Sequence, residues 1–220
     1  MSARENILAR VRGALRRDAG DGVALSAVQA YINTHALSAR PGVSGDLVAR
    51  FRDKALALST TFSDVVHLHE VPTAVAAYLR AHNLPLHAVC WPSLQALAWG
   101  DNGVQVEARP ATDTDLVGIT EVFCAIAETG TLMTLSGAHT PAVSSLLPET
   151  HIAVVRTVQI VPAMEEAWQR LRYTGGSEGY MPRAVNFISG PSRTADIEQT
   201  LTFGAHGPYR VHIVLISDGE

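Results

Sequence analysis

Short apolar runs alternate with helix-patterned segments from about residue 61 to the last apolar run of the chain. The predicted strands cover residues 65–69, 86–90, 104–106, 116–120, 151–155 and 211–216. The predicted helices between them cover residues 72–82, 92–99, 140–147 and 162–172. Alternation at this spacing is typical of a mostly parallel sheet with helices on both faces, so we expect an α/β domain. The last run is apolar nearly throughout, which predicts a central strand.

The first 60 residues are helical in pattern, and the sequence divides into a helical arm, residues 1–60, and an α/β domain, residues 61–220. Residues 2–17 are predicted to form a basic helix that begins with a capping box of Ser2 and Glu5. Such a helix could lie on a membrane or be a transit peptide. Glu5 and the modest apolar face favour instead an arm that packs on its own domain or on a neighbouring subunit. Residues 23–37 are predicted as helix or ordered arm, and residues 44–60 as a second clear helix.

Composition limits the classes of function that need be considered. Hydrophobic residues make up 47% and charged residues 17% of the chain, enough for a substantial core, and so little charge suggests a surface covered by a partner. The formal net charge of −4 gives no general attraction to nucleic acid. No apolar run reaches the roughly 20 residues that span a bilayer. The charged N-terminus also lacks the apolar region of a signal peptide.

Cys90 and Cys124 are the only cysteines, and they form no C-x-x-C pair. Because an iron–sulfur cluster commonly takes four thiolates, we expect this chain alone to hold neither such a cluster nor a cysteine-rich zinc site. So few cysteines also fit a reducing compartment, and we expect a cytoplasmic protein.

Several common site motifs are absent from the sequence. There is no G-x-x-x-x-G-K-[ST], no G-x-G-x-x-G and no G-x-S-x-G, so we propose no P-loop, standard dinucleotide site or hydrolase elbow. His67 and His69 would place two imidazoles on one face of a strand, where they could bind a metal. Because no third ligand lies nearby in the sequence, the favoured interpretation is that both histidines are half-buried strand residues, and we predict no metal site.

A hairpin is predicted in residues 123–135, because apolar flanks enclose Thr129-Gly130. Glu128 would lie at its tip, where it could act as a general base or a carboxylate nucleophile, or simply be solvated. Thr129, Gly130 and Thr131 are candidate ligand-binding residues. Residues 173–183 are predicted to form a loop long enough to be a mobile lid.

An anion pocket is predicted where the apolar run ending at Ile188 meets a Gly-Pro turn and then a helix-like start. Ser192 or Thr194 could cap that helix, but Arg193 opposes the positive end of its dipole unless an anion binds there. The candidate ligand-binding residues are Gly190, Ser192, Arg193 and Thr194. The alternative is an ordinary strand-to-helix turn in which Arg193 pairs with Asp196 or Glu198.

His206 lies between Gly204 and Gly207-Pro208, on a turn before the last predicted strand. It is either a site residue, with a candidate catalytic role, or part of a capped turn. We expect the Glu128 turn and the Gly190 turn to meet at one rim of the sheet, beyond the carboxyl ends of the strands, where open α/β sheets bind ligands. His206 could reach the same rim.

Three stretches of the second half together resemble a known family. They are residues 117–120 with 127–131, residues 147–152, and residues 190–198 with 206–208 and 212–216. In this order they resemble the LUD domain of the lactate-utilisation protein C (LutC/YkgG) family, over roughly residues 117–216. Glu121 and Phe123 depart from the small residues that the family usually has after this strand, which leaves the shape of the pocket wall there open.

The resemblance implies a Rossmann-like fold similar to the NagB/RpiA/CoA-transferase-like group. It also implies a part in the oxidation of L-lactate to pyruvate, alongside iron–sulfur partner subunits that carry the clusters, so that no cofactor is bound by this chain. Whether the chain is itself an enzyme stays open, as does a homo-oligomer.

Three functional hypotheses follow. The first is a component of a lactate-oxidising assembly that binds a small anionic organic ligand. The second is a free-standing enzyme acting on a phosphorylated or CoA-linked metabolite with Glu128 in the chemistry. The third is a scaffold with a vestigial pocket.

Overall fold

The structure, a computed structural model, describes residues 2–16, 22–34, 42–174, 181–194 and 202–217. The chain divides into two compact units, Met1–Pro41 and Gly42–Glu220. No helix in the described part of the chain is long and apolar enough to cross a membrane.

The first unit contains two helices, α1 (Ala3–Leu15) and α2 (Gly22–Thr34). Ser2 caps α1: its hydroxyl accepts from the Glu5 backbone N–H at 3.3 Å, and the Glu5 carboxylate accepts from the Ser2 N–H at 2.6 Å. The predicted capping box is therefore confirmed. The segment predicted as helix or ordered arm is helical as far as Thr34.

The second unit carries the remaining elements. Its helices are α3 (Leu47–Ala57), α4 (Val71–Ala81), α5 (Val143–Leu146) and α6 (Met164–Thr174). Its strands are β1 (Thr61–Val65), β2 (His87–Cys90), β3 (Gln105–Glu107), β4 (Val117–Glu121), β5 (Cys124–Ile126), β6 (Thr131–Leu135), β7 (Thr150–Arg156), β8 (Ile160–Val161), β9 (Val185–Ile188), β10 (Arg193–Thr194), β11 (Thr202–Phe203) and β12 (Arg210–Ile216).

Six strands form a sheet in the order β1-β12-β7-β4-β2-β3, and every neighbouring pair is parallel. The mostly parallel sheet predicted from the alternating pattern is confirmed. β12 lies between β1 and β7, so the apolar run that predicted an interior strand does form one.

The two faces of this parallel sheet are covered differently. α4 packs on the face that carries Ile152 and Val154 of β7. The opposite face, with Ala153 and Val155, packs against α3 and a second sheet of order β8-β5-β6-β9. α6 covers the outer side of that second sheet. Helices do lie on both faces, but a four-stranded sheet provides much of one cover, which the alternation alone did not predict.

The predicted hairpin is present, because β5 and β6 pair antiparallel. α3, in contrast, packs with the second unit, although a boundary at residue 60 would group it with the helical arm. Phe51 and Ala55 are fully buried in the core beneath the parallel sheet, so α3 packs as part of the second unit, which begins at Gly42.

The strand predicted at residues 65–69 lies earlier, and Leu68–Glu70 forms a turn of 3-10 helix. The Glu70 carboxylate accepts from the backbone N–H groups of Val66 and His67 at 2.7 and 2.8 Å, which ends the strand. His67 and His69 stack with ring centroids 5.3 Å apart and are exposed, not on a strand face. Of the loop predicted at residues 173–183, positions 175–180 lie outside the described residues.

Candidate functional site

The Gly190 turn leads into a strand and not into a helix. Gly190 has a φ of 77°, and the chain continues into β10, which pairs antiparallel with β11. The prediction that Ser192 caps a helix is therefore wrong, because Arg193 and Thr194 form a strand. A helix capped by Thr194 would begin at residue 195, and residues 195–201 lie outside the described residues. Ser192 uses its backbone to bind the following loop: its N–H donates to the Pro208 carbonyl, and its carbonyl accepts from Gly204, both at 2.9 Å.

Arg193 contacts the C-terminus of a helix, whereas the sequence predicted that it lies at a helix N-terminus. Its guanidinium donates to the Leu58 carbonyl at 2.8 Å and to the Ser59 hydroxyl, at the C-terminus of α3. A cation is favoured there, because the carbonyl end of a helix carries partial negative charge. The argument that an external anion must neutralise Arg193 is thus wrong, and its assignment as a ligand-binding residue stays a prediction.

The Glu128 turn and the Gly190 turn do meet, as predicted. Thr129 donates to the Thr131 hydroxyl at 2.8 Å, and Thr131 lies 2.8 Å from the Ser189 hydroxyl. The pairing of β6 with β9 holds these residues side by side. Glu128 itself is half-buried, and its backbone N–H donates to the Pro162 carbonyl at 2.9 Å.

Both turns press their glycines against α3. A Cβ on Gly130, whose φ is +70°, would lie 2.4 Å from the Ala55 nitrogen, and a Cβ on Gly190 would lie 2.4 Å from the Leu58 carbonyl oxygen. Only glycine fits at such distances. The C-terminal half of α3 therefore joins the two predicted motifs.

His206 is exposed, and its backbone N–H donates to the Ser192 hydroxyl at 3.2 Å. The structure thus brings the His206 loop to the Gly190 turn. This rim, however, is not the carboxyl edge of the parallel sheet that we predicted. The Gly190 turn follows the carboxyl end of β9, in the four-stranded sheet, and lies beside the amino ends of β1 and β12, since Pro191 shares a cavity with Thr61 and Arg210.

The amino edge of the parallel sheet holds two neighbouring cavities. The amino-edge cavity has a volume of about 260 Å³ and is lined by Ser59, Thr61, Tyr78, His82, Pro191, Tyr209, Arg210 and Val211. A second cavity, of about 350 Å³, is lined by Leu147, Glu149, Gly204, Gly207, Tyr209 and Arg210. Tyr209 and Arg210 therefore separate the two, directly after the predicted Gly207-Pro208 turn.

A buried histidine supports the wall of the amino-edge cavity. His212 is 2% exposed; Thr61 Oγ1 lies 2.8 Å from its Nδ1, and Ser63 Oγ lies 3.1 Å from its Nε2. The Tyr78 ring stacks on it with centroids 3.8 Å apart. Burial, with a smaller effect of nearby His82, lowers the pKa of His212 to about 4, so the imidazole is neutral at pH 7.

Tyr78 continues this hydrogen-bonded chain into the cavity. Burial raises the pKa of the Tyr78 phenol, while a hydrogen bond to Thr61 and the charge of Arg210 lower it in part. The phenol is therefore protonated at neutral pH and can donate a hydrogen bond.

The carboxyl edge holds a different cavity, which we call the carboxyl-edge crevice, of about 420 Å³. Trp91 and Ser93, after β2, line it together with Glu121, Val122 and Phe123 from the end of β4 and with His139, Thr140 and Gln159. β2 and β4 are the neighbours between which the strand order reverses, which is where such sheets commonly bind ligands. Glu121 and Phe123, where the sequence departs from the family pattern, thus shape this wall.

Sequence reasoning missed Thr61, Tyr78, Arg210 and His212 at the amino edge and Trp91 at the carboxyl edge. Arg210 lies two residues after Pro208 and starts the last strand, so its place beside the motif could have been noticed. Thr61 and Tyr78 carry no local signal. Only the pairing of β1 with β12 brings Thr61 near His212, and only the packing of α4 on the sheet brings Tyr78 there.

Residues 72–216 match the family model described as LUD domain. The chain is 38% identical over 120 residues to Lactate utilization protein C of Exiguobacterium sp. (strain ATCC BAA-1283 / AT1b), a match that covers 54% of this chain and 52% of that protein. It is 37% identical over 131 residues to Lactate utilization protein C of Bacillus subtilis (strain 168), covering 58% and 54% respectively. The chain thus spans about half the length of the curated relatives it matches.

A similar solved structure is that of a DUF162 family protein from Deinococcus radiodurans. Its TM-score is 0.57 at 24% sequence identity, and the match covers 77% of this chain and 96% of that one. At this identity the similarity supports the fold alone.

Proposed function

This chain belongs to the LUD domain family, and on that premise we propose that it is a component of an L-lactate utilisation system. In this proposal it acts in the oxidation of lactate to pyruvate, together with iron–sulfur partner subunits, and binds an anionic organic ligand. The observation that carries the proposal is the 37–38% identity to relatives named Lactate utilization protein C.

The state of the cysteines supports a division of labour with partner subunits. Cys90 and Cys124 are both buried, and burial raises the pKa of each thiol to about 11. Thiols in that environment stay protonated at neutral pH, whereas a cluster ligand must be a thiolate. An oxidation that needs iron–sulfur clusters would draw them from other chains.

Arg210 supports binding of an anionic ligand, because it lines both cavities at the amino edge of the parallel sheet. The alternative, a free-standing enzyme on phosphorylated or CoA-linked metabolites, gains less support. Glu128 lines none of the three cavities described above, and Arg193 and Thr194 form β10 and not the first turn of a helix capped by Ser192.

A growth experiment tests the proposal. A strain of the source organism that lacks this chain should grow normally on pyruvate and fail on L-lactate as the sole carbon source. Expression of the chain from a plasmid should restore growth on L-lactate. Normal growth of the deletion strain on L-lactate would contradict the proposal.

The partner subunits are tested separately. The affinity-tagged chain, purified under anaerobic conditions from lactate-grown cells, should bring down proteins that contain iron and acid-labile sulfide. The control is the same purification from cells with an untagged chain. Recovery of the tagged chain alone, from cells that oxidise lactate, would contradict an assembly with iron–sulfur subunits.

A further inference from the structure

The guanidinium of Arg210 lies in a setting suited to a small anion. Arg210 is half-buried and lies over the Tyr209 ring, 4.8 Å from the ring centroid, while its backbone N–H donates to the Glu149 carbonyl at 2.9 Å. Among the described residues that line the amino-edge cavity, none is acidic. Glu149 lines only the neighbouring cavity. A planar guanidinium with no acid beside it in the cavity is a ready partner for a carboxylate.

The rest of the cavity provides hydroxyl groups and apolar surface. Ser59, Thr61 and Tyr78 contribute hydroxyls, and Pro191 and Val211 contribute buried apolar walls. A ligand with one carboxylate, one further oxygen and a short hydrocarbon part matches this lining. The volume of about 260 Å³ lies below the roughly 300–1,000 Å³ typical of drug-sized ligands, which favours a small acid over a nucleotide or a CoA ester.

The donors are held in place before a ligand arrives. Thr61 is bonded to His212, and His212 is clamped in turn by Ser63 and by the Tyr78 ring. A wall whose side chains are already ordered loses little conformational entropy on binding. His212 is therefore a positioning residue, which acts through Thr61.

We infer that the amino-edge cavity is a binding site for a small 2-hydroxy or 2-oxo carboxylic acid, with Arg210 as its charged anchor. The site rests on this geometry, while the choice of a 2-substituted acid rests on the proposed function. The larger carboxyl-edge crevice is a poorer site for the same anion, because Glu121 lines it and would repel a carboxylate.

The test is calorimetric titration of the purified full chain with L-lactate and with pyruvate. Lactamide, which has nearly the same shape without the charge, and inorganic phosphate serve as comparison ligands. We expect L-lactate or pyruvate to bind and lactamide to bind much more weakly. Arg210→Gln should weaken binding of the acid about 10- to 100-fold, since a charge-assisted contact is lost.

Arg172→Gln, on α6 beyond the four-stranded sheet, removes the same charge and should leave affinity unchanged. Arg210→Lys keeps the charge but not the forked donor pair, and should retain part of the affinity even if the glutamine variant folds poorly. Thr61→Val should weaken binding less than Arg210→Gln.

Any of three results with the acids would overturn the inference: no binding by the wild-type chain at millimolar acid, equal affinity of the wild type and of folded Arg210→Gln, or binding that only Glu121→Gln alters. Tight binding of phosphate with none of either acid would also overturn it. The growth experiment is independent: normal growth of the deletion strain on L-lactate removes the proposed function, whereas Arg210-dependent binding would still establish the site.

Discussion

The amino edge and the carboxyl edge of the parallel sheet are built in different ways. At the amino edge the Gly130 and Gly190 turns press on the backbone of α3, and a buried histidine fixes the wall of the cavity. At the carboxyl edge the crevice is larger, and Gly137, which lines it, approaches only a side chain, that of Thr140. Of the stretches that carry the family resemblance, the Gly130 and Gly190 turns thus lie at the more constrained edge.

At these two edges, the general rule for ligand sites in open α/β sheets and the positions of the charged and polar side chains indicate different sites. The general rule for open α/β sheets directs attention to the carboxyl edge, where the strand order reverses. Here the cationic side chain and the polar network lie at the other edge, because the second sheet brings the Gly190 turn alongside the amino ends of β1 and β12. The carboxyl-edge rule for the parallel sheet therefore does not locate the Gly190 turn, which follows a strand of the four-stranded sheet.

The largest expected effect compares a glycine from each edge. Gly130→Ala should destabilise the chain by about 3 kcal/mol, because the new Cβ meets α3 backbone at 2.4 Å at a φ of +70°. Gly137→Ala should cost about 1 kcal/mol or less, since the Thr140 hydroxyl, at 2.9 Å, can move. Urea unfolding measures both, and similar losses would remove the contrast in rigidity.

Next in size is the response of stability to acid. The pKa of His212 is lowered to about 4 in the folded protein, against an ordinary value of 6.5, so the unfolded chain takes up the proton first. The stabilisation is complete above pH 6.5 and is lost as pH falls toward 4. Between pH 7.5 and pH 5 this histidine alone should cost the fold about 2 kcal/mol.

His212→Asn should reduce that pH-dependent loss, measured by urea unfolding at the two pH values. His151 is fully buried, and its pKa is also lowered to about 4. His151→Asn should reduce the pH-dependent loss of stability by a similar amount and serves as the comparison for a histidine in the core. An unchanged loss in His212→Asn would mean that the amino edge is not held by a neutral imidazole.

A smaller effect is expected from Arg193. Arg193→Ala removes the cation that binds the C-terminus of α3 and should cost about 1 kcal/mol of folding stability. Affinity for the small acid should change less than twofold, in contrast to Arg210→Gln. An affinity loss as large as that of Arg210→Gln would support the assignment of Arg193 as a ligand-binding residue.

The smallest effect is expected in the fluorescence of Trp91, which lines the carboxyl-edge crevice and is 4% exposed. Saturating L-lactate should leave the Trp91 emission unchanged, measured as the difference between wild type and Trp91→Phe. A change that disappears in Trp91→Phe would place the acid at the carboxyl edge and reverse the comparison.

Much of the fold could be predicted, because its signals are local. The β-rich runs and the pattern around Phe51 identify the central strands and α3 without any knowledge of tertiary contacts. The second sheet could not be predicted, since β5, β6 and β9 are short and β9 lies 50 residues beyond β6. Without knowledge of that sheet, the sequence pattern groups α3 with the helical arm.

The candidate site could be predicted only in part, because some of its contacts have local signals in the sequence and others depend on distant parts of the chain. The motifs predict that the Glu128 and Gly190 turns meet, as the contact of Thr131 with Ser189 shows, but they place that meeting at the wrong edge of the parallel sheet. The sequence around Arg193 and Thr194 is helix-like, yet these two residues pair with β11. Pairing with β11 overrode the local helix propensity of these residues. Arg210 was missed because its surroundings come from four separate parts of the chain.

The position of β12 also bears on how this chain can be made. Its pairing with β1 joins Thr61 to His212, 151 residues apart, and β12 is the strand that links β1 to the rest of its sheet. During translation β1 therefore cannot pair within its sheet until almost the whole second unit has been synthesised. Long-range closure of this kind slows folding and leaves apolar surface in need of chaperone protection in the meantime.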